Sequence, residues 1–297
     1  MSNTTSAFIA IVGKPNVGKS SILNKIVGQK IAIVSDKPQT TRTRISGIIT
    51  KDEMQMVFID TPGLHKPKNA LGEHMVKAVK DGMADVDCCL LVVEANAKIA
   101  PAEQELINKF KQRKLKAVLA INKVDLLENK EELFEIIKMY SEAFDFSAVV
   151  PVSAKNNEGL DELLSELEKF AVPSPHYFDD NAFTDQPERV ITAEIIREKL
   201  LRLLDKEVPH GIAVDIERFS ERQDADILDI EASVYCERQS HKGIVIGKGG
   251  QTLKKIGTLA RRDLEDFFEI KVNLKLWVKV KENWRTSNGI IHGLGLD

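Results

Sequence analysis

Apolar and polar positions follow two alternating patterns along the first 170 residues. Short apolar runs, such as Phe8–Val12 and Cys88–Val93, predict buried strands, and segments with apolar residues every three or four positions predict helices. In chain order we predict strand 8–12, helix 21–27, strands 45–50 and 54–59, helix 70–80, strand 88–93, helix 102–111, strand 117–121, helix 130–143, strand 148–152 and helix 159–170. This alternation predicts an α/β domain with a doubly wound, mostly parallel sheet.

The pattern changes after residue 170. Residues 171–188 contain three prolines and have no clear period, which predicts a linker. Beyond it we predict helix 190–208 and strands 211–219 and 227–235, then the segment at 243–250, helix 252–268 and strand 272–280. Together they complete an α-β-β-α-α-β order, in which the first helix after the two strands has no bounds assigned. We therefore expect a first domain over 1–172, a linker over 173–189, an α+β domain over 190–283 and a tail over 284–297 that carries no motif.

A glycine-rich motif lies between the first strand and the first helix. It fits G-x-x-x-x-G-K-[ST], the phosphate-binding loop, with Gly13, Lys14, Pro15, Asn16, Val17, Gly18, Lys19 and Ser20. Glycines allow successive backbone N–H groups to surround a phosphate, and the helix start adds its positive dipole end. Lys19 should reach the β- and γ-phosphates, and the Ser20 hydroxyl should bind Mg²⁺. A chance match is expected in about one chain in a hundred of this length, and the flanking elements make it rarer.

Two further segments are candidates for contacts with the γ-phosphate. Residues 29–45 predict a mobile loop in which a threonine could place its hydroxyl on Mg²⁺, although an ordinary polar surface loop is an equal alternative. The second segment, Asp60-Thr61-Pro62-Gly63, follows a predicted strand. Asp60 could hold the water shell of Mg²⁺, and the Gly63 N–H could donate to the γ-phosphate. In isolation this sequence would be a common turn.

The most discriminating motif is Asn122-Lys123-Val124-Asp125, which follows strand 117–121. A carboxylate accepts two hydrogen bonds at once, and guanine offers two adjacent donors where adenine would leave Asp125 unpaired. Asn122 would tie the loop to its neighbours, and the Lys123 stem would cover the base. A backbone N–H of Ser153-Ala154-Lys155 could bind the guanine carbonyl oxygen. The alternative is a solvated loop.

Composition excludes several classes of protein. Hydrophobic residues make up 43% and charged residues 29%, which is typical of globular proteins, and no apolar run is long enough to span a bilayer. Three cysteines form neither a disulfide framework nor a zinc motif, so we expect a reducing, cytosolic compartment. The net charge is −3, but residues 242–281 carry ten Lys/Arg and four Asp/Glu, about +6. This asymmetry favours a nucleic-acid partner for the second domain.

A second glycine motif lies within that basic segment. Gly247, Lys248, Gly249 and Gly250 form a G-x-x-G loop before a predicted helix, as in KH RNA-binding domains. Lys254, Lys255, Arg261 and Arg262 lie on or near that helix. A tight turn beside a solvated basic face is the alternative interpretation.

Taken together, these motifs make the chain similar to one family over Phe8 to Lys281. The chain resembles the Era family of bacterial GTPases, which combine a phosphate-loop GTPase domain with a C-terminal type II KH domain. The motifs that carry the resemblance are P-Q-T-T-R at 38–42, D-T-P-G-L at 60–64, N-K-V-D at 122–125, S-A-K at 153–155, E-I-I-R-E-K-L at 194–200, V-I-G-K-G-G at 245–250 and L-W-V-K-V-K at 276–281, besides the phosphate loop.

The resemblance implies an activity and partners. It implies hydrolysis of GTP to GDP and phosphate with Mg²⁺, binding to small-subunit ribosomal RNA near its 3′ end, and assistance in assembly of the small ribosomal subunit. Members of the family are cytoplasmic, with some association with the inner membrane. We expect a monomer.

The resemblance also assigns site residues. Residues 13–21, 60–64 and 122–125 would bind nucleotide, and the loop threonine would fall on Thr41, with Thr40 the alternative. Ser20, Thr41 and, through water, Asp60 would bind Mg²⁺, while Lys19 would stabilise transition-state charge. Leu64 stands where Ras-like enzymes carry a water-orienting Gln, so we expect slow hydrolysis and assign no catalytic residue. Ser21 stands where many relatives have Thr.

These features predict a GTP/GDP switch whose state controls an RNA-binding domain. An alternative is a constitutive RNA-binding assembly protein with a structural nucleotide pocket. An ATP-dependent kinase or ATPase is disfavoured, because Asn122–Asp125 has no rationale with adenine.

Overall fold

A computed structural model describes residues 4–35, 37, 40–42, 44–62, 69–83, 85–96, 98–205, 208–294 and 296. Their contacts group them into two compact units. The second unit contains the described residues of 33–40 and 69–74 and those from 186 onward, and the first unit contains the remainder. The domain limits predicted from the sequence stay a prediction.

The first unit alternates strands and helices, as the sequence predicts. Its described strands are β1 (Thr5–Val12), β2 (Ile45–Lys51), β3 (Met54–Asp60), β4 (Cys88–Glu94), β5 (Ala117–Asn122), β6 (Ala148–Pro151) and the short β7 (Val172–Pro173). Its described helices are α1 (Lys19–Val27), α2 (Ala70–Gly82), which the unit boundary divides, α3 (Pro101–Arg113), α4 (Lys130–Ala143) and α5 (Leu160–Glu168).

The strand order across the sheet is β2-β3-β1-β4-β5-β6. Among the described strands of this sheet, only the β2–β3 hairpin and the short pairing of β7 with β1 are antiparallel. The phosphate loop follows β1 at the centre of the sheet, where strand order reverses, and open α/β sheets bind ligands beyond the carboxyl ends of strands at such a point. The predicted doubly wound α/β fold is confirmed.

Alternation along the central strands builds a core on each face of the sheet. Ile9 and Ile11 of β1 face one core, with Ile22 of α1 and Leu163 of α5. Ala10 and Val12 face the other core, with residues of β4, β5, α3 and α4. Because both faces are covered, the central strands are apolar without interruption, as parallel strands usually are.

The segment predicted as a linker is held along the first unit. Ile48 N–H donates to the Phe183 carbonyl (3.0 Å), and Ser46 Oγ donates to the Asp185 carboxylate (2.8 Å). The buried Gln55 side chain accepts from the Tyr177 and Phe178 N–H groups at 2.8 and 3.0 Å. Residues 172–185 are therefore ordered against β1, β2 and β3, although their sequence has no periodicity.

The second unit is an α+β domain. Its described elements are α6 (Glu188–Leu203), β8 (Ala213–Glu221), β9 (Ile227–Cys236), α7 (Gln239–Ile246), α8 (Gln251–Phe268), β10 (Lys271–Val280) and α9 (Asn288–Gly293). The sheet order is β10-β9-β8, with β10 parallel and β8 antiparallel to β9. This confirms the predicted α-β-β-α-α-β order.

Helices α6, α7 and α8 cover one face of this sheet. Ile196 of α6, Val245 of α7 and Ile256 of α8 share a core with alternate residues of the three strands. Helix α6 ends at Leu203, five residues before the predicted end. The next residue, Leu204, has an extended backbone conformation, and its side chain is buried. The tail adds a buried Trp284, whose indole N–H donates to the Gly211 carbonyl (3.0 Å). In the part of the chain described, no helix combines the length and apolar character needed to cross a membrane.

Candidate functional site

The phosphate loop joins β1 to α1 in tightly packed backbone. A Cβ on Gly13 would lie 2.3 Å from the Val92 carbonyl oxygen. Gly18 has a φ of +101°, and a Cβ there would lie 2.1 Å from Asn122 Nδ2. Both positions therefore require glycine, and the loop can approach an anion without side chains in the way.

Lys19 begins α1 and is buried inside this loop, with 5% of its surface exposed. Its Nζ donates to the carbonyl oxygens of Gly13 (3.2 Å) and Lys14 (3.0 Å). Burial lowers the pKa of Lys19 to about 8, against the opposing attraction of Asp60. The structure thus holds a poorly solvated ammonium group at the loop that the sequence predicts to surround phosphates.

The three residues predicted to bind Mg²⁺ lie together. Ser20 Oγ donates to Asp60 Oδ2 (2.8 Å) and lies 3.1 Å from Thr41 Oγ1, which is 3.5 Å from the same carboxylate oxygen. Thr40 instead donates its hydroxyl to the Lys37 carbonyl (2.6 Å). Thr41, which the family resemblance favours over Thr40, is therefore the threonine that faces Ser20 and Asp60.

Asp60 is fully buried at the end of β3. Its Oδ1 atom has no hydrogen-bond partner among the described residues. Burial raises the pKa of Asp60, although Lys19, Ser20 and Thr41 oppose the shift. Two hydroxyls and a carboxylate with an unsatisfied oxygen form a hard oxygen donor set, which fits Mg²⁺ and its water shell.

The rest of the Asp60–Leu64 motif is described in part. Thr61 is buried and donates its hydroxyl to the Ile11 carbonyl (2.8 Å), which ties the end of β3 to β1. Pro62 is also buried. Gly63 and Leu64, with their predicted roles near the γ-phosphate, lie outside the described residues.

Asn122 connects three segments of the predicted guanine site. Its Nδ2 donates to the Val17 carbonyl of the phosphate loop (2.8 Å), and its Oδ1 accepts from the Ala154 N–H (3.1 Å). Asp125 accepts from Ser153 Oγ (2.6 Å), and Lys123 Nζ lies 3.1 Å from Glu94 Oε1. The structure therefore brings residues 122–125 and Ser153-Ala154 to the phosphate loop, whereas Lys155 is exposed.

Glu103 is a buried carboxylate at this site that sequence reasoning missed. It lies 3.5 Å from Lys14 Nζ, and it accepts hydrogen bonds from the Ala100 N–H (2.7 Å) and the Tyr140 hydroxyl (2.9 Å). It therefore caps α3 and holds a side chain of the phosphate loop. The only signal was a Glu at the third position of a helix, without the Ser or Thr that usually precedes it in a capping box.

The second glycine loop is open instead of enclosed. Gly247, Gly249 and Gly250 all have positive φ, and nothing lies within 4 Å of a Cβ built on Gly249 or Gly250. Lys248 is exposed. Helix α8 starts at once after the loop and carries three predicted RNA-binding side chains on its exposed surface, namely Lys254, Lys255 and Arg261.

Comparisons with known proteins match a GTPase family model to the first unit and a KH domain model to the second. A family model described as 50S ribosome-binding GTPase matches residues 8–123, and a KH domain model matches residues 207–285. The GTPase Era of Clostridioides difficile is 51% identical over 290 residues, which cover 98% of each chain. That of Ruminiclostridium cellulolyticum is 49% identical over 98% of this chain and 97% of its own.

The chain belongs to the GTPase Era family.

Solved Era structures have the same architecture. A crystal structure of an Aquifex aeolicus Era variant bound to GDP and AlF₄⁻ matches with a TM-score of 0.95 at 35% identity, over 99% of both chains. Another, of Era in complex with MgGDPNP and nucleotides 1506–1542 of 16S ribosomal RNA, matches with a TM-score of 0.94 at 35% identity. As a member of this family, the protein is a GTPase that uses GTP, GDP and Mg²⁺.

Proposed function

We propose that this protein is a GTP/GDP switch that binds small-subunit ribosomal RNA through its KH loop and assists assembly of the small ribosomal subunit. The 16S fragment bound by the solved Era relative supports this choice of RNA. The observation that carries the switch is the position of Thr40 and Thr41, which are adjacent in sequence but belong to different units.

Nucleotide binding is assigned to the residues that surround Lys19. The Gly13–Ser20 loop would hold the phosphates by its N–H groups, with Ser21 following in α1, and Lys19 would neutralise charge on the β- and γ-phosphates as it develops in the transition state. Asp125 would accept from guanine while Ser153 fixes its orientation (2.6 Å). Mg²⁺ would be held by Ser20 and Thr41 and, through water, by Asp60, and it would stabilise charge between the β- and γ-phosphates.

RNA binding is assigned to the second glycine loop and α8. Open space around Gly249 and Gly250 allows a nucleic-acid backbone to lie against the loop. Lys248, Lys254, Lys255 and Arg261 are exposed and would contact phosphates. Such contacts predict an affinity that falls steeply with salt.

The loop that precedes Thr41 has its contacts in the second unit. The Val34 N–H donates to Glu198 Oε1 of α6 (3.1 Å), and Arg202 donates to the Val34 carbonyl at 3.1 and 3.2 Å. Arg197 of α6 donates to the Thr40 carbonyl. The next residue along the chain, Thr41, faces Ser20 and Asp60 in the first unit. A change at the γ-phosphate that displaces Thr41 would therefore pull directly on residues held by α6.

Buried charges extend this contact from α6 to α8. Glu198 is fully buried and lies 3.0 Å from Lys199 Nζ, and Lys199 also donates to Asp263 of α8. Removing one member of a buried charged group is costly, so we expect these side chains to keep their contacts when α6 is displaced. Helix α8 carries the RNA-binding side chains, and the path from Val34 to α8 thus passes through Glu198 and Lys199.

The second nucleotide-sensing segment also has a contact in the second unit. Helix α2 follows the Asp60–Leu64 motif in the chain, and its His74 Nε2 lies 3.3 Å from Asn288 Oδ1 of α9. Two segments that are sensitive to the γ-phosphate in switch GTPases therefore have partners in the RNA-binding unit.

The experiment is a measurement of affinity for the 16S fragment, nucleotides 1506–1542, with the protein loaded with a GTP analogue and with GDP. We expect the two affinities to differ by about fivefold or more, the lower end of typical coupling. Arg202→Ala should reduce this ratio, because Arg202 donates a hydrogen bond to the Val34 carbonyl. The Arg202 side chain is half-exposed, so its removal leaves no cavity in the core.

The matched control is Lys169→Ala, which removes an exposed ion pair with Glu166 in the first unit. It should leave the ratio unchanged. Equal affinities in both nucleotide states would rule out the switch and favour a constitutive RNA-binding assembly protein.

Location and assembly state are inferred from weaker observations. The three cysteines are free and buried, which supports a reducing, cytoplasmic compartment. Peripheral association with the inner membrane and a monomeric state stay predictions, which vesicle flotation and sedimentation would test.

A further inference from the structure

The outer face of the KH sheet, opposite its three helices, carries an exposed aromatic side chain. Along β10 the core-facing residues, such as Leu276 and Val278, alternate with outward-facing residues. Trp277 is one of the outward residues, and 41% of its surface is exposed. Among the described residues none accepts a hydrogen bond from its indole N–H. Tryptophan side chains are usually highly buried. Because Trp277 is exposed instead, both its apolar ring and its indole N–H are available to a ligand.

Lysines flank this ring along the same strand. Lys271, Lys275 and Lys279 face outward with Trp277, and all three are exposed. Outward residues two apart on a strand are spaced by about 6.6 Å, so these side chains form a row of positive charge along the sheet edge. Lys281, just beyond β10, lies 4.8 Å from the centre of the Tyr235 ring, and Tyr235 is the register partner of Lys279 on β9.

Three acidic groups on this face are already engaged, and a fourth, Asp215, is close enough to Lys279 to attract its charge. Asp229 accepts from Arg222 and Asn273 at 2.6 to 2.8 Å, Glu231 lies 3.5 Å from Lys275, and Glu217 accepts from Ser233 and Lys279. The two lysine pairs are exposed ion pairs, which are worth little and exchange readily for another anion. Lys271 has no ion-pair partner among the described residues. The edge strand can therefore accept phosphates without the fold losing much stability.

We propose that β10 is a second RNA-binding surface, on which a base of single-stranded RNA stacks on Trp277 while its phosphates contact Lys271, Lys275 and Lys279. Exposed aromatic rings interleaved with lysines are the surface that binds single strands with little sequence preference. A KH loop clamps only about four nucleotides, so a longer RNA needs such a surface. This inference rests on the proposed RNA binding but assigns residues outside the G-x-x-G loop and α8.

The charge of β10 favours RNA, and not a second copy of this chain, as its ligand. The chain as a whole is acidic, at −3, but the outward residues of β10 are four positions of lysine or asparagine and one tryptophan. Two copies that met through this strand would bring the same lysines together, and like charges directly opposite are destabilising. An anionic strand instead neutralises them.

Tryptophan fluorescence tests the stacking directly in the full chain. The protein has two tryptophans, and Trp284 is fully buried, so quenching by RNA would report Trp277. Titration with the 16S fragment in the GTP-analogue state should quench emission at the same midpoint as binding measured with labelled RNA. Trp277→Phe should abolish the quenching and keep affinity within about twofold, since phenylalanine also stacks.

Affinity measurements test the contribution of the contact. Trp277→Ala should weaken binding of the fragment by about five- to one-hundred-fold, the range for loss of one stacked base. Phe134→Ala is the matched control, because Phe134 is 68% exposed on α4 of the first unit and is outside the proposed surface. Lys271→Ala should lower the slope of log affinity against log salt by about one.

Each outcome separates the two proposals. Normal binding with no quenching, or quenching with unchanged affinity for Trp277→Ala, would overturn the second surface and leave the KH loop intact. If Trp277→Ala instead changes only the sedimentation of the protein, this face is a contact between copies and the inference is wrong. If the wild-type protein fails to bind the fragment at all, the proposed function itself fails.

Discussion

The two glycine loops of this protein both precede a helix, yet they are built in opposite ways. In the first, a Cβ on Gly18 would lie 2.1 Å from Asn122, and the lysine that follows is 5% exposed. In the second, a Cβ on Gly249 or Gly250 would meet nothing within 4 Å, and Lys248 is exposed. The first loop is shaped to enclose a small anion such as a phosphate group. The second is shaped to lie against an extended anion such as a nucleic-acid backbone.

The difference shows that glycine has separate roles in the two loops. In the first loop the space beside each glycine is occupied by other parts of the protein, so a side chain cannot be added. In the second the space beside Gly249 and Gly250 is empty, although a Cβ on Gly247 would lie 2.2 Å from Thr252 Oγ1. At Gly249 and Gly250 glycine is needed for its positive φ and for close approach of a ligand. Substitutions that look alike in sequence should therefore have different consequences.

The largest expected effect is on the first loop. Gly18→Ala should weaken GDP binding by about 100-fold or more, because the new methyl group would displace Asn122 from Val17 and Ala154, and φ +101° is strained for alanine. Isothermal titration with GDP measures this.

Gly249→Ala is the matched substitution in the second loop. It should leave GDP affinity unchanged and lower the free energy of unfolding by about 1 kcal/mol, the cost of an L-residue at φ +57° with space around it. Equal GDP affinity in both variants would show that the first loop is not the enclosed site described here.

A second effect concerns pH. Because the pKa of Lys19 is lowered to about 8 in the nucleotide-free protein, this side chain becomes neutral above pH 8 and must regain a proton to contact phosphate. GDP affinity should therefore fall by up to about tenfold per pH unit above pH 8, until the pH reaches the higher pKa that Lys19 has beside bound phosphates.

Stability should change in the opposite direction over the same range. Between pH 8 and 10.5 the unfolded chain holds more protons at Lys19 than the folded chain, so this group's contribution to stability rises with pH. The Lys19→Met variant removes both slopes, and the difference between wild type and this variant isolates Lys19 from other titrating groups. An identical pH dependence of GDP binding in the two proteins would contradict the assignment.

A third effect tests how the first loop is supported. Tyr140→Phe removes the hydroxyl that donates to Glu103 (2.9 Å), and a lost bond to a carboxylate should cost about 1.5 to 3 kcal/mol in urea unfolding. Tyr177→Phe, at an exposed ring, should cost less than about 0.5 kcal/mol. Similar losses in the free energy of unfolding for the two variants would show that Glu103 does not stabilise the loop.

The sequence was sufficient for the fold and for the motif residues that the structure brings together at the nucleotide site, but not for Glu103. Motif spacing placed Lys19, Asp60 and Asn122 after separate strands, and parallel strands bring such positions to one edge of a sheet. The residue pattern alone could not choose between Thr40 and Thr41, because neighbouring residues on a loop differ only in the direction of the side chain, and it was the family resemblance that favoured Thr41. The direction depends on Lys37 and Ser20, which the structure supplies.

Contacts between distant segments were beyond sequence reasoning. Arg197, Glu198 and Lys199 are buried in α6, although a search for apolar periodicity predicts charged residues to be exposed. Their burial is compensated by Val34, Thr40 and Asp263, which are 64 to 164 positions away along the chain. Likewise, Tyr177 and Phe178 of the segment predicted as a linker are held by Gln55, a polar side chain inside a strand.

The central claim is that the base and phosphates bound in the first unit set the RNA affinity of the second. Asp125→Asn tests it in one measurement, since an asparagine amide suits the carbonyl of xanthine where a carboxylate suits guanine. With this variant, affinity for the 16S fragment should respond to a xanthosine triphosphate analogue and no longer to the GTP analogue. If RNA affinity in the variant still followed the guanosine nucleotide, or followed neither while both nucleotides remained bound, the claim would be contradicted.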